Sequence, residues 1–260
     1  MHILVLLKMV PDVVEDIEIA SGGRALDLDA LRMILSESDD HALEEALLLK
    51  ERCGGKVTVV GLDSPEVDDA LFTAAAKGAD RVLKVAGMDP GFTTRQAAWY
   101  FSQAIADGAG ILPVDLILTG VQAIDDLDGL IAPLVADALR MPFQGIITSI
   151  HLDAAGTSAH AIKEFPGGVR GEFEIKLPAV LGIQAAEKPP RYVPVAKVRA
   201  AMKSARIENV EASTPADAGP AIEVVEMRHN EPAGHAGILE GTPEQVSEQL
   251  CAILADRGLF

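Results

Sequence analysis

The chain has 260 residues, 49% of them hydrophobic, two cysteines, and a formal charge of −17 from 39 acidic against 22 basic residues. That is enough apolar material for one large domain with an appendage, while the acidic excess repels a phosphate backbone and counts against nucleic acid and anionic membrane surfaces as partners. Cys53 and Cys251 lie far apart with no CxxC or Cys/His cluster, so neither a disulfide framework nor a zinc site is indicated. Met1 leads directly into an apolar strand with no basic n-region or cleavage site of a signal peptide. No apolar run approaches the about 18 residues a bilayer span needs, so the cytoplasm is the expected compartment.

Down to about Pro142, apolar runs of strand length alternate with stretches of helical period, the pattern of β-α units stacked around a buried parallel sheet. His2–Lys8 is the first strand. Ser38 or Asp39 caps a helix over His41–Arg52, whose Ala42, Leu43, Ala46, Leu47 and Leu49 form its apolar face. Lys56–Gly61 is the second strand. Ser64-Pro65-Glu66 then opens a helix, with serine at the cap and proline at the first helical position, and Gly78 ends it. Arg81–Val85 is the third strand and Thr93–Gly108 a helix. The apolar strand Asp115–Gly120 runs into the loop Val121–Asp128, and a helix follows at about Leu130–Leu139, stopped by Met141-Pro142.

Beyond this point the pattern turns antiparallel. Gly145–Leu152, Ser158–Phe165 and Val169–Leu177 read as strands separated by Asp153–Thr157 and Pro166-Gly167-Gly168, and Pro178–Ile183 as a last core strand. Two parts are therefore expected, an α/β domain over residues 1–186 and an arm over 187–260. Lys188, Arg191, Lys197, Arg199, Lys203 and Arg206 make the first part of the arm a local basic patch. Asn209–Ala236 reads as an extended crossing segment, and Thr242-Pro243-Glu244-Gln245 caps a terminal helix, Pro243–Leu254. The fold class is a doubly wound parallel α/β sheet with a small antiparallel addition and a C-terminal arm.

The common catalytic signatures are missing: no GxSxG, HExxH, GxxxxGK[ST] or, after the first strand, GxGxxG. Ser21-Gly22-Gly23 is a surface turn, and His41, His229 and His235 are surface residues rather than metal ligands. In an open parallel sheet ligands bind at the carboxyl ends of the strands, next to the point where the winding reverses. The loops to inspect are thus Lys8–Asp12, Ser36–Asp39, Leu62–Ser64 and above all Val121–Asp126, which precedes a helix N-terminus able to hold an anion. Asp125 and Asp126 are read as compensating the helix dipole before they are read as paired catalytic carboxylates.

At this loop the sequence, VDLILTGVQAIDD over Val114–Asp126, closely resembles electron-transfer flavoprotein β subunits. ILVLLK at Ile3–Lys8, ALEEALLLKE at Ala42–Glu51, KGADR at Lys77–Arg81, Glu164 with Gly167-Gly168, LPAVL at Leu177–Leu181 and Pro190-Arg191-Tyr192 follow in the family's order. The resemblance covers essentially the whole chain. It implies an adenine-nucleotide α-hydrolase-like fold and a heterodimer with an α subunit that carries most of the FAD and receives electrons from a flavin dehydrogenase. The β chain is then an electron-carrier subunit without a catalytic constellation of its own. In the family the β subunit buries an AMP, or in electron-bifurcating members a second FAD. Carried over by position, the nucleotide contacts are Leu6, Ser36, Ser38, Asp39, Leu62, Asp63, Gln122, Asp125, Asp126, Gly129, Ala132 and Val135, with Glu164 beside the flavin cleft. A recognition loop at Pro190–Lys203 would dock the dehydrogenase through Tyr192, Pro194, Val195, Lys197 and Arg199, with Val195 as its apolar anchor.

Two departures stand out. Ser36-Glu37-Ser38 occupies the place of the family's Asn-Pro-Phe, without its aromatic ring. Gly129–Val135 replaces a stretch of amide and hydroxyl side chains with apolar ones and puts Pro133, which has no N–H, in the helix start. AMP is therefore expected to be held weakly or not at all. The alternative functions are a stand-alone adenine-nucleotide-binding or regulatory module of the same fold and, third, a hydrolase using Asp125, Asp126 and Glu164.

Overall fold

In a computed structural model, the described residues are 1–28, 31–88, 91–106, 110–126, 128–213, 224–229, 234 and 236–259. Strand β1 (His2–Leu7) is followed by a short antiparallel ribbon, β2 (Met9–Pro11) with β3 (Met33–Leu35). Helix α1 (Glu37–Cys53), β4 (Lys56–Leu62), α2 (Val67–Lys77), β5 (Arg81–Ala86), α3 (Thr94–Ala106), β6 (Leu116–Gly120) and α4 (Ile131–Leu139) then alternate. Next come β7 (Phe143–Ile147), β8 (Ser149–Leu152), β9 (Ser158–Phe165), β10 (Val169–Lys176) and β11 (Ala179–Ile183), then α5 (Val195–Ser204), β12 (Ile207–Glu211) and α6 (Pro243–Asp256).

The main sheet runs β12-β5-β4-β1-β6-β11-β7 with every pairing parallel. From β1 the chain winds outward through β4 and β5, then crosses back to begin the other half at β6, so the winding reverses between β1 and β6. The alternation along β1 shows why the run is apolar throughout. Ile3, Val5 and Leu7 face a core layer built with Ala42, Leu43 and Leu47 of α1 and Leu71 of α2, while Leu4 and Leu6 face a second layer with Tyr100 and Phe101 of α3 and Val135 of α4. A central strand covered on both faces has little room for a polar side chain, and the one polar residue of β1, His2 at its start, is buried with its ring hydrogen-bonded to the Pro113 carbonyl and to Thr58 Oγ1. The antiparallel sheet β8-β9-β10 adds Ile150, Ala159 and Ala161 to the first layer.

Several local expectations change. Helix α1 begins at Glu37, capped by the Ser36 carbonyl, which accepts from Asp39 N at 3.1 Å and Asp40 N at 3.0 Å; no side chain caps it. Ser38 and Asp39 lie inside its first turn, their side chains bonded instead to the Gln122 carbonyl and to the backbone at the ends of β1 and β6. Ser64-Pro65-Glu66 is a turn ahead of α2, not its first helical residues: Glu66 takes a left-handed φ of 61° and its carboxylate accepts from Met33 N at 3.3 Å, tying the turn to β3. Gly145–Leu152 is two strands in two sheets. Ile146, at φ 63°, and a register shift against β11 take the chain out of the parallel sheet before β8 begins, a bend of the kind a bulge produces at a sheet edge.

Past Glu187 the chain does not run free. It forms α5, which packs on α2, and β12, which pairs with β5 from Ile207↔Val82 to Glu211↔Ala86 and extends the sheet. Arg81 holds β12 by a fork onto Glu208, at 2.8 Å and 2.7 Å. The compact units are accordingly Met1–Val225 and Glu226–Phe260, a division later in the chain than 186/187. Of the expected crossing segment Asn209–Ala236, residues 209–211 belong to β12, and residues 214–223, 230–233 and 235, including His235, lie outside the described residues, as do 107–108 of the helix expected to reach Gly108. In the second unit α6 opens with the expected capping box, Thr242 accepting from Gln245 N and Gln245 accepting from Thr242 N.

The two layers make a direct prediction. Phe101→Ala, at a position 1% exposed, is expected to cost about 3–5 kcal/mol, whereas Phe165→Ala, 40% exposed, stays within about 1 kcal/mol. Urea unfolding followed by circular dichroism measures both.

Candidate functional site

The carboxyl ends of β1, β6 and β11 meet the first turn of α1 at the winding reversal. Asp39 sits at the centre. Its carboxylate accepts from Lys8 N at 2.9 Å and from Gly120 N at 2.7 Å, bridging the ends of two neighbouring strands. Gly120 has to be glycine there, since a Cβ would fall on Ser38 Oγ and within 2.6 Å of the Asp39 carboxylate. Ser38 Oγ donates to the Gln122 carbonyl at 2.9 Å and so ties α1 to the loop after β6.

That loop is braced from within. Asp126 accepts from Ala123 N at 3.2 Å and Gly129 N at 3.1 Å, and Gln122 Nε2 donates to the Asp126 carbonyl at 3.1 Å. Lys8 Nζ reaches Asp125 at 2.6 Å, closing the loop onto β1. Burial pushes the Asp39 carboxyl up to about 7 against the pull of its two N–H donors and of Lys8. Burial likewise raises Asp126, opposed by the Ala123 N–H, Lys8 and the Gly129 N–H. These aspartates form one desolvated, mutually repelling cluster held by a single lysine and by backbone N–H groups.

Two spaces open here. The inner one, between Leu6, Lys8, Phe101, Gly129 and Ile131, measures about 20 Å³. The outer one measures about 600 Å³ and lies between the β2–β3 ribbon (Val10, Pro11, Ile34, Leu35), the start of α1 (Ser36, Ser38, His41), the loop (Val121, Gln122, Ile124) and Gln184 beyond β11. Its ribbon wall is apolar and its α1 wall polar. A cleft of a few hundred Å³ with a few converging hydrogen-bonding groups is the ordinary form of a small-molecule site.

The residues expected from sequence divide among these spaces. Leu6, Asp39, Gly129, Gln122 and Asp126 line the inner space, and Ser36, Ser38, Gln122 and Asp126 line the outer one. Asp125 carries the ion pair with Lys8. Ala132 and Val135 are buried in the core layer against α3, as is Leu62 at the end of β4. Asp63 lies apart, 3.7 Å from Lys84 Nζ. Glu164 lies on β9, half exposed, paired with Arg170 at 3.0 Å, and lines neither space. Tyr192, Pro194, Val195, Lys197 and Arg199 are all exposed, Tyr192 at 83% and Val195 at 60%; Pro194 caps α5 and Val195 begins it. The expected loop is therefore five residues of irregular chain leading into a helix.

A clamp holds that segment to the body, and sequence reasoning passed it over. Arg191 presents its guanidinium to Glu44 at 2.8–3.0 Å and to Glu51 at 2.6 Å, and its backbone N–H also donates to Glu44 at 2.9 Å. The next residue, Glu45, accepts from Glu187 N at 3.1 Å and pairs with Arg52, which also reaches Glu187 at 2.7 Å. Burial pushes the Glu45 carboxyl up to about 7. The available signal was Glu44-Glu45 beside the apolar positions of α1; a carboxylate buried on a helix face requires a cation from elsewhere in the chain.

A doubly wound α/β domain with its cleft at the strand ends defines a nucleotide- or cofactor-type binding protein. The family model described as the electron transfer flavoprotein domain matches residues 26–215. The chain is similar to proteins named electron transfer flavoprotein subunit beta from Methylophilus methylotrophus, 31% identical over 98% of this chain and 97% of that one, and from Bacillus subtilis, 30% identical over 98% and 97%. The protein of that name from Syntrophomonas wolfei is 32% identical over 96% of this chain and 94% of its own. The chain belongs to the electron transfer flavoprotein family, as a β subunit. It is thus an electron-carrier subunit with an α subunit as its partner in a flavin-associated complex. Among the described residues no helix is long and apolar enough to cross a membrane.

Two outcomes follow. A carboxyl whose pKa is higher in the fold than in the open chain holds its proton preferentially when folded, so its contribution to stability is complete below about 4 and is lost as pH rises towards 7. Urea midpoints are expected to fall between pH 5 and pH 7.5, and Asp39→Asn with Glu45→Gln to flatten that dependence. Arg191→Ala strands the Glu44 carboxylate, which is 3% exposed, at a cost of about 3–5 kcal/mol. Limited proteolysis should then cut near Tyr192 faster than in the parent protein.

Proposed function

We propose that this subunit, joined to its α subunit, covers an FAD carried mainly on that partner and docks a flavin dehydrogenase so that electrons reach the flavin. The outer strand-end cleft carries this reading: its 600 Å³ between an apolar and a polar wall suits one face of a planar ring system. When bound, FAD takes up the electrons and passes them on. The chain's own part is to shield and orient. Val10, Pro11, Ile34 and Leu35 keep water from the ring, and Ser36, Ser38 and Gln122 supply hydrogen-bonding groups opposite them. Glu164, on the separate antiparallel sheet, would approach the flavin only from the side of the assembled heterodimer.

Docking falls to the clamped segment. Tyr192, Pro194 and Val195 stand out from a base fixed by Arg191, with Lys197 and Arg199 beside them on α5. A small apolar anchor rimmed by cations fits an acidic groove on the dehydrogenase: the apolar contact supplies affinity and the charges steer the encounter. Fixing the segment beforehand lowers the ordering cost of each encounter. The strongly acidic remainder of the chain keeps it soluble and monodisperse, as a carrier diffusing through the cytoplasm requires.

Co-expression with the α-subunit gene is expected to give a yellow heterodimer; a colourless, stably monomeric chain would overturn the assignment of cofactor and partner. Val195→Asp should slow reduction of the complex by its dehydrogenase by roughly 10-fold or more while FAD content stays the same. Unchanged stopped-flow rates would remove Val195 from the docking surface.

A further inference from the structure

In a doubly wound sheet the place for a nucleotide phosphate is the strand-end pocket beside the winding reversal, where backbone N–H groups and a helix N-terminus face an anion. Each feature of that place is altered here. The inner space of about 20 Å³ holds about one water, against the roughly 300 Å³ or more of a small-molecule site. Phe101 and Ile131 close it from the side of α3 and α4.

Its donors are already engaged. Lys8 N and Gly120 N donate to Asp39, Ala123 N and Gly129 N to Asp126, and Leu130 N to Asp128 at 3.2 Å. The Lys8 ammonium, which would otherwise meet a phosphate, is ion-paired with Asp125 and 10% exposed. In the first turn of α4, Leu130, Ile131 and Ala132 offer no side-chain donor and Pro133 has no N–H at all. Charge opposes an incoming anion too, because Asp39, Asp125, Asp126 and Asp128 gather around these same donors, and a phosphate dianion would join them without a new cation.

We infer that the strand-end nucleotide pocket of this β subunit is closed, its phosphate place taken by the chain's own carboxylates, chiefly Asp126 and Asp39, so that the heterodimer carries the α-held FAD and neither an AMP nor a second flavin. The pocket is a joint: the backbone donors at the ends of β1 and β6 and in the loop ahead of α4, which a ligand would use, are satisfied internally, and the subunit folds without waiting for a nucleotide. A heterodimer of this composition has one flavin through which electrons enter and leave. That feature excludes splitting an electron pair between two flavins of the complex.

The inference rests on the family assignment but is tested separately from the proposed flavin and docking roles. Equilibrium dialysis of the isolated chain, and of the heterodimer, against about 0.1 mM labelled AMP should leave less than roughly a tenth of the protein loaded, as a Kd above about 1 mM requires. Heat-denatured heterodimer should release FAD and no AMP on chromatography, with flavin near one per complex. Binding of AMP with a Kd below about 10 µM by either preparation, or release of a stoichiometric AMP or second flavin, would overturn the closed pocket. A heterodimer that forms without FAD would count against the proposed function and leave the AMP measurement to judge the pocket.

Discussion

The bridge made by Asp39 sets the geometry on which the site depends. One carboxylate, delivered by the first turn of α1, accepts from the backbone at the end of β1 and at the end of β6. Those strands flank the reversal of winding, the one place in the sheet where neighbouring connections diverge to opposite faces and leave a crevice. Without a link the crevice is open backbone. With it, two strands and a helix are fixed to within hydrogen-bond tolerance, and Gly120 is required because no side chain fits beside the carboxylate. The burial that raises Asp39 to about 7 is the cost of placing a carboxylate there, and the two N–H donors offset it.

From this joint the rest follows outward. The loop after β6 folds back on Asp126 and is tied to β1 through Lys8 and Asp125, so the inner space fills with the chain's own charges while the outer space remains a cleft. The same helix that delivers Asp39 at its start holds the exposed segment 187–195 from its middle and end, through Glu44, Glu45 and Glu51. Helix α1 is thus both the floor of the cleft and the anchor of the exposed surface around Val195. Cleft and exposed segment are held at fixed distance by one rigid element, the kind of support that a precisely positioned site needs.

Sequence and structure agree where the physics is local. β1, β4, β6 and β11 are apolar at nearly every buried position, because a strand covered on both faces leaves little room for a polar group; His2, Thr58 and Thr119 are the buried polar side chains among them. The Thr242–Gln245 capping box is spelled out in four consecutive residues and forms as written. Agreement weakens where two distant segments decide. Ser64-Pro65-Glu66 reads as a helix start, yet Glu66 turns left-handed, with its carboxylate tied to β3. Gly145–Leu152 reads as one strand, yet the partner on each side is a different sheet. The stretch after Glu187 reads as an arm outside the α/β domain, yet Ile207–Glu211 pairs with β5 at the sheet edge.

By itself the sequence determined the class of fold, the family, and the apolar character of the stretch Gly129–Val135 after the loop, because each of these is carried by short runs of neighbouring residues. Only the tertiary structure decided what those residues do. Asp39, expected as a cap or a nucleotide contact, bridges two strand ends; Asp126, expected to compensate the helix dipole, accepts from two N–H groups of its own loop; Arg191, quoted in the family motif, also clamps the exposed segment after Glu187. For Asp39 and Arg191 the physical reason is the same. A buried charge acts through its partner, and these partners lie 81 positions away for Asp39 and Gly120, and 147 for Arg191 and Glu44, a separation that only the folded sheet removes.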